Sequence, residues 1–439
     1  MLFSLFFYLI DSGYYLFILL ISITGNYYIG LILYNSKNNY KNIILILGLF
    51  FNLIPLLFFK YWMFLLGSLN DLYKITNSNI HFQIPEIVLL SGISFFTFHS
   101  ISYLLDIKAR KIEPSKSLID FGMYMACFPQ LIAGPIVRYS EISNEISSRP
   151  SNIESIYKGI YIFSLGLASK VILADSAGTV ADKIFSRDPN TLSIDLAWIG
   201  ALCYTFQIYF DFAGYSNMAI GLAKMMGFDF PENFNQPYRS RNITEFWQRW
   251  HMTLSRWFRD YVYIPLGGNR KGQSRTLFNL LIVFFLCGLW HGASYTFIVW
   301  GLYHGLLLTI DKLSNRYNLL KINSLFGQVV TFFLVVLGWV FFRSPNLEFS
   351  LTYLRKMFLF GFSWPAWDYI YYILIGPDKF FFILLCIFFS FYSFEKNTLN
   401  PNSENKITYL KIGISFFLIF LSTTLISSNG FNPFIYFKF

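Results

Sequence analysis

Charge is what this chain has least of. Lys, Arg, Asp and Glu together make up 13% of its 439 residues, against about 25% in an ordinary soluble domain. Hydrophobic residues reach 55%, and apolar runs of bilayer-spanning length recur along it, which excludes a soluble globular fold. Cysteine is also sparse. Cys127, Cys203, Cys287 and Cys386 are scattered through apolar segments. With no CxxC pair and no Cys/His cluster, neither a disulfide framework nor a metal site is expected. No G-x-S-x-G elbow, P-loop or H-x-x-x-x-D motif occurs, so the acyl- and phosphoryl-transfer signatures of soluble enzymes are missing. Internal repeats of the kind that mark many transporters are missing too.

The charge that is there is unevenly placed. The net charge is +10, and PYRSRNITEFWQRWHMTLSRWFRDYVYIPLGGNRKGQSR (237–275) sets eight Lys/Arg against only Glu245 and Asp260. A basic segment between spans belongs on the cytoplasmic side. Nucleic acid is not an expected partner, because that would need a basic face on a soluble fold. Residues 276–310 then contain no Asp, Glu, Lys or Arg at all. Each stretch holds one histidine of interest, His251 among the arginines and His291 in the uncharged run.

Periodicity and length predict spans over about residues 14–34, 42–66, 84–105, 157–174, 196–225, 325–342, 380–394 and 407–426. With the 276–310 stretch, the total is about ten or eleven, plus one or two partial segments. Residues 1–10 are apolar but lack a basic n-region and a small-residue cleavage site, so no removed signal peptide is expected. The basic loop at 108–116 is again cytoplasmic. FGMYMACFPQLIAGPIV (121–137) follows it. Pro129 and Pro135 each remove a helix donor, which predicts a broken, re-entrant segment that does not cross. A mixed loop is expected between about 343 and 378. Asp211 lies in an otherwise apolar helix with Gln207 and Tyr215 a turn away. An intramembrane carboxylate marks either a functional site or a hydrogen-bonded anchoring residue.

Asn242, with Glu245 three positions on, reads as a helix N-cap with its capping-box partner. The helix should run to about Tyr263, before Pro265 and Gly267-Gly268. Trp247, Trp250, Leu254, Trp257, Phe258 and Tyr261 fall on one face and Arg249, Arg256 and Arg259 on the other, the pattern of an interfacial helix. His251 lies at the border of the apolar face. The arginines suit either anionic lipid headgroups or the phosphates of a cytosolic donor. The 276–310 stretch would be about 52 Å long as one helix, against a hydrocarbon core of about 30 Å. It must therefore bend, and GLWHGAS (288–294) is the place. That puts His291 inside the membrane domain. Burial disfavours a charged imidazole, and a neutral one beside a hydroxyl is a general base worth about 10²–10⁴-fold. The plainer reading is a packed core histidine, and these residues alone leave enzyme and transporter open.

Four motifs carry a specific resemblance. They are FPQLIAGPIVRYSEI (128–142), YFDFAGYSNMAIGLAKMMGFDFPENFNQPYRSRNITEFWQRWH (209–251), WFRDYVYIPLGGNR (257–270) and LCGLWHGASYTFIVWGLYHG (286–305). With them the sequence resembles the membrane-bound O-acyltransferase family, in its alginate O-acetyltransferase branch. Teichoic-acid D-alanyl transfer proteins share the WH-x-S/T-L-S-x-WFRDY pattern, whereas the IPLGGNR continuation (264–270) is similar to the alginate type. The resemblance implies an all-α polytopic membrane protein, with re-entrant and interfacial helices around a central tunnel from a cytosolic donor side to an outer acceptor side. It implies one membrane-embedded domain over 1–439, with a motif-bearing core at about 84–311 and a partial first span. His291 maps to the catalytic histidine and His251 to a second functional position. Arg249, Arg256 and Arg259 are the expected donor-binding residues, and Asp211 and Trp290 structural or tunnel-lining ones.

The expected function is O-acetyl transfer with no bound cofactor. The donor is a thioester, acetyl-CoA foremost, and the acceptor an envelope polysaccharide. An extracytoplasmic acetyltransferase of the SGNH-hydrolase kind is the expected partner, and the cytoplasmic (inner) membrane the location. The alternatives are D-alanyl transfer from a carrier protein to teichoic acid and, in another class, a polysaccharide flippase.

Overall fold

The computed structural model describes residues 1–76, 80–149, 152–317, 324–359, 376–392 and 404–435. Among them every regular element is helical, as the composition required. The chain forms two compact units, Met1–Asn152 with Met226–Pro231, and Ile153–Met225 with Glu232–Phe439.

The first unit begins with α1 (Leu2–Ser12) and α2 (Leu16–Asn35). A long segment follows, in which α3 (Asn38–Leu56) passes through a π turn into α4 (Trp62–Ile75). Buried Asn26 and Asn52 exchange side-chain hydrogen bonds of 2.9 and 2.7 Å. Such amide pairs tie helices together where lipid offers no hydrophobic drive. The span expected from residue 84 starts later, as α5 (Ile93–Lys108). Pro85 interrupts the approach, and Gly92 at φ +73° caps the helix so close to Leu131 that a Cβ there would lie 2.4 Å from its carbonyl oxygen. Residues 121–137 are broken, as the prolines predicted. Here α6 (Leu118–Ala126) gives way to the single turn α7 (Phe128–Leu131), and α8 (Tyr139–Ser147) comes after an extended stretch. Helices of nine and four residues reach about 13 and 6 Å, far short of a hydrocarbon core.

In the second unit, α9 (Ile153–Ala168) turns through Ser169–Ala174 into α10 (Asp175–Phe185), and α11 (Ile194–Met225) is the longest helix. Glycines spaced by seven make a seam between α9 and α11. A Cβ on Gly166 would lie 2.6 Å from Gly214 O, and one on Gly221 equally close to Gly159 O. Backbone therefore packs on backbone, the small-residue device of membrane helices. Beyond the site region come α14 (Gln273–His291), α15 (Tyr295–Tyr317), α16 (Ser324–Arg343), α17 (Leu347–Phe358), α18 (Pro377–Phe391) and α19 (Glu404–Asn429). The helix α17 occupies part of the expected mixed loop, whose residues 360–375 lie outside the described ones.

Six described segments are long and apolar enough to cross a bilayer: Leu2–Asn35, Asn38–Ile75, Ile153–Phe185, Gln273–His291, Ser324–Arg343 and Tyr409–Ser428. The helices α11 and α15 have the length, at 32 and 23 residues, but carry more polar side chains. The chain is a polytopic helical membrane protein.

Candidate active site

His251 sits at a helix break. The capping expected at Asn242 is present, its side chain accepting from Glu245 N at 2.7 Å, but Glu245 bonds back to Arg241 N and not to Asn242. The helix expected to run to Tyr263 stops early. It divides into α12 (Ile243–Arg249), α13 (Met252–Phe258) and a π turn over Arg259–Tyr263. His251 lies between the first two with φ +42°, a left-handed conformation that a non-glycine residue holds only when its surroundings enforce it. The cause is a strand-like pairing with the chain before it: Asn235 N donates to Arg249 O, and Met252 N to Asn233 O. The expected apolar face is kept in part: Trp247, Trp250, Leu254, Trp257 and Phe258 are buried and Tyr261 is half-buried, while of the arginines Arg259 is exposed and Arg249 and Arg256 are half-buried.

The break turns His251 inward, to 0% exposure, and not toward the headgroup layer. Its Nδ1 lies 3.1 Å from Asn233 Oδ1, which also accepts from Thr253 N and the Thr253 hydroxyl. An amide oxygen can only accept, so Nδ1 carries the proton and Nε2 is the basic nitrogen of the neutral ring. Asn233 was missed by the sequence reading, although it stands inside the quoted PENFNQ run.

His291 ends α14, and the chain turns at Gly292–Ser294 as the GLWHGAS segment predicted. The two helices close tightly beneath it, where a Cβ on Gly288 would lie 2.3 Å from Phe297 O. His291 is 2% exposed, with ring centroids of Trp290, Trp300 and Phe342 at 4.8, 5.0 and 5.2 Å. The His251 ring centroid is 6.5 Å away, with Trp290 5.7 Å from His251. The fold thus brings together the two histidines and Trp290. His304, also fully buried, packs against Trp247 and Trp300.

Arg249 and Arg259 do not converge, and Arg256, half-buried on α13, lines neither of their cavities. Arg249 is bound to Glu245 at 2.8 Å and lines a polar cavity of about 370 Å³ with Arg239 and Arg241. Arg259 pairs with Asp260 and lines a different cavity of about 470 Å³. In this second cavity Lys312 and Asn269 share the polar end with Arg259, and Leu254, Phe258, Phe284 and Cys287 form the apolar wall. Lys312 donates to Asn269 Oδ1, which also accepts from the Tyr263 hydroxyl. Cys287 is one helical turn before His291 on α14, so the wall ends on the histidine's own helix face.

Asp211 has a partner that sequence reasoning missed. Lys170, from the turn after α9, reaches both Asp211 (3.0 Å) and Asp175 (2.6 Å), and Asp211 also accepts Ile435 N at 2.9 Å. Lys170 and Asp211 are each about 2% exposed. Removing one member of such a buried pair costs about 3–5 kcal/mol. The signal was a lysine inside the apolar run SKVILAD.

His251, His291 and Trp290 thus meet, buried, at the bend of an apolar helical hairpin, and sequence comparison supplies the class of protein. Residues 40–343 match the membrane-bound O-acyltransferase family, and the chain belongs to that family. Its relatives include proteins named for O-acetylation and, at 29 and 31% identity, teichoic acid D-alanyltransferases. A probable alginate O-acetylase AlgI of Pseudomonas aeruginosa is 45% identical over 72% of this chain and 60% of its own length. The Pseudomonas putida counterpart is 39% identical over 90% and 84%. A peptidoglycan O-acetyltransferase of Helicobacter pylori is 36% identical over 99% and 90%. The chain thus spans less than two thirds of the first relative and most of the other two.

Proposed function

We propose that this protein is an O-acetyltransferase of the cytoplasmic membrane, moving acetyl from a cytosolic thioester, acetyl-CoA foremost, toward hydroxyls of an envelope polysaccharide. The observation that carries the reading is a single cavity lined both by the cations Arg259 and Lys312 and by an apolar wall that includes Cys287, one turn from His291. Its cationic mouth suits an anionic donor head, and its apolar wall suits an uncharged arm leading toward His291. Arg249 belongs to the other, polar cavity, so Arg259 is the member of the expected arginine set that this reading assigns to the donor.

His291 acts as general base. Its neutral imidazole takes the proton from the acceptor hydroxyl while that oxygen attacks the thioester carbonyl. The tetrahedral intermediate collapses by breaking the C–S bond, and the imidazolium returns the proton to the departing thiolate. The products are an acetyl ester and a free thiol, with no further reactant. His251 supports His291 with Nε2 basic, Trp290 holds the space between the rings, and Asp211 has a structural role. The acceptor is either the polymer or an SGNH-type extracytoplasmic acetyltransferase that relays acetyl to it. One membrane-embedded domain over residues 1–439 is part of this proposal, and the higher identity of the alginate and peptidoglycan relatives (36–45%) than of the teichoic acid D-alanyltransferases (29 and 31%) favours polysaccharide as the polymer served.

The test is donor cleavage by the purified full chain in lipid nanodiscs with radiolabelled acetyl-CoA and a soluble acceptor sugar. Free thiol and labelled ester should form together, and Lys312→Ala should raise the donor KM about tenfold or more. Cleavage of an acyl-carrier-protein thioester but never of acetyl-CoA would reject the donor.

A further inference from the structure

A third cavity lies at the other end of α16. That helix runs from Ser324, which lines the arginine-bearing cavity with Arg239, Arg241 and Arg249, to Arg343. Twenty residues carry it about 30 Å, the thickness of the hydrocarbon core. With the basic segment cytoplasmic, Arg343 is on the outer side. Phe342, the residue before it, packs its ring 5.2 Å from that of His291. Around Arg343 is a cavity of about 470 Å³ lined by Lys170, Asp175, Asp182, Asp211, Tyr204 and Gln207, and walled by the chain at Asn432, Pro433 and Ile435.

The charges in this lining are already committed to one another. Lys170 holds Asp175 and Asp211, and Arg343 holds Asp182 at 2.7 Å. Among the described lining residues two cations stand against three carboxylates, with Lys379 acting on Asp175 from outside the lining. Tyr204 is 0% exposed, yet among the described residues its hydroxyl has no hydrogen-bond partner, and neither has Gln207 Oε1. Buried polar atoms of this kind are costly unless something bonds to them. Sugar hydroxyls both donate and accept. They can donate to the carboxylates and to Gln207 Oε1 and accept from Tyr204. A sugar carboxylate would instead face three carboxylates and lining cations that are already paired.

We propose that this cavity binds a neutral, hydroxyl-rich sugar unit of the acceptor glycan from the outer side and discriminates against uronates. The proposal rests on the acetyl-transfer reading above and sharpens its acceptor. Binding is measured on the full chain in nanodiscs, without donor, by titration with N,N′-diacetylchitobiose and with a mannuronate disaccharide. The neutral sugar should bind at least about tenfold more tightly. The double variant Tyr204→Phe with Gln207→Leu should lose about tenfold or more in affinity at an unchanged melting temperature. Should that pair fail to fold, Gly178→Ala gives the same readout, because its Cβ would lie 2.5 Å from Gln207 Nε2 and displace that side chain. Equal or tighter uronate binding, no neutral-sugar binding, or affinity unchanged in the folded variant would each overturn the proposal. Because binding is read without donor, a chain that binds sugar but transfers no acetyl in the donor assay refutes the reaction alone, and one that transfers but does not bind refutes this inference alone.

Discussion

The carboxamide oxygen of Asn233 collects three donors, from Thr253 twice and from His251, and so fixes both the His251 ring and the backbone that carries it. Replacing it with leucine keeps the volume and removes the acceptor. Asn233→Leu should therefore lower kcat about tenfold or more, leave the donor KM within about twofold, and cost about 1–3 kcal/mol for the buried donors left behind. Asn233→Asp, which keeps the oxygen, should recover most of the turnover. Steady-state kinetics on the two variants separates positioning from plain destabilisation, which the aspartate would not repair. At this scale the sequence made the histidines and Asp211 visible, because polar groups in apolar surroundings stand out. Their partners were not visible. Asn233 and Lys170 are 18 and 41 residues away from the groups they serve, and only the folded chain brings them into contact.

At the scale of elements, periodicity identified the buried face from Trp247 to Phe258, since both halves keep helical spacing, but not at Tyr261, which is half-buried. It could not show the break at His251, which depends on backbone pairing with residues 233–235. Similarly, residues 84–92 are apolar enough for a span, but Pro85 and the left-handed Gly92 delay the helix to Ile93. The first turn of α12 also gives a pH-dependent term. Burial raises the Glu245 carboxyl pKa, but the Arg241 backbone N–H and the Arg249 guanidinium outweigh it and hold it below the ordinary carboxylate value. A depressed carboxylate stabilises the fold above its unfolded pKa, and that contribution disappears as pH falls through the folded value. Glu245→Gln should accordingly melt below the parent at pH 7, and the difference should vanish as the pH is lowered past the ordinary carboxylate range. Thermal unfolding at a series of pH values reads this directly. A gap that stayed constant with pH would contradict it.

For the whole molecule, low charge and repeated apolar runs were enough to establish a helical membrane fold. The glycine seam between α9 and α11 was not legible, because which glycines meet depends on how two separate helices pair. The orientation assigned from the basic segment can be checked by labelling, since all four native cysteines are buried and Lys271 is exposed. In intact cells, Lys271→Cys should resist a membrane-impermeant maleimide and should react once the membrane is permeabilised. Reaction in intact cells would invert the topology, and with it the donor and outer sides.

The central claim is that a neutral His291 performs the proton transfer in O-acetylation. It is tested most directly by expressing His291→Ala in a strain deleted for the native chain and measuring ester-linked acetate on the envelope polymer. The variant should reach the membrane at the parent level and melt at a similar temperature. Ester acetate should fall to the deletion background, a loss of at least about 10²-fold. Acetylation at the parent level from a folded, inserted His291→Ala protein would contradict the account.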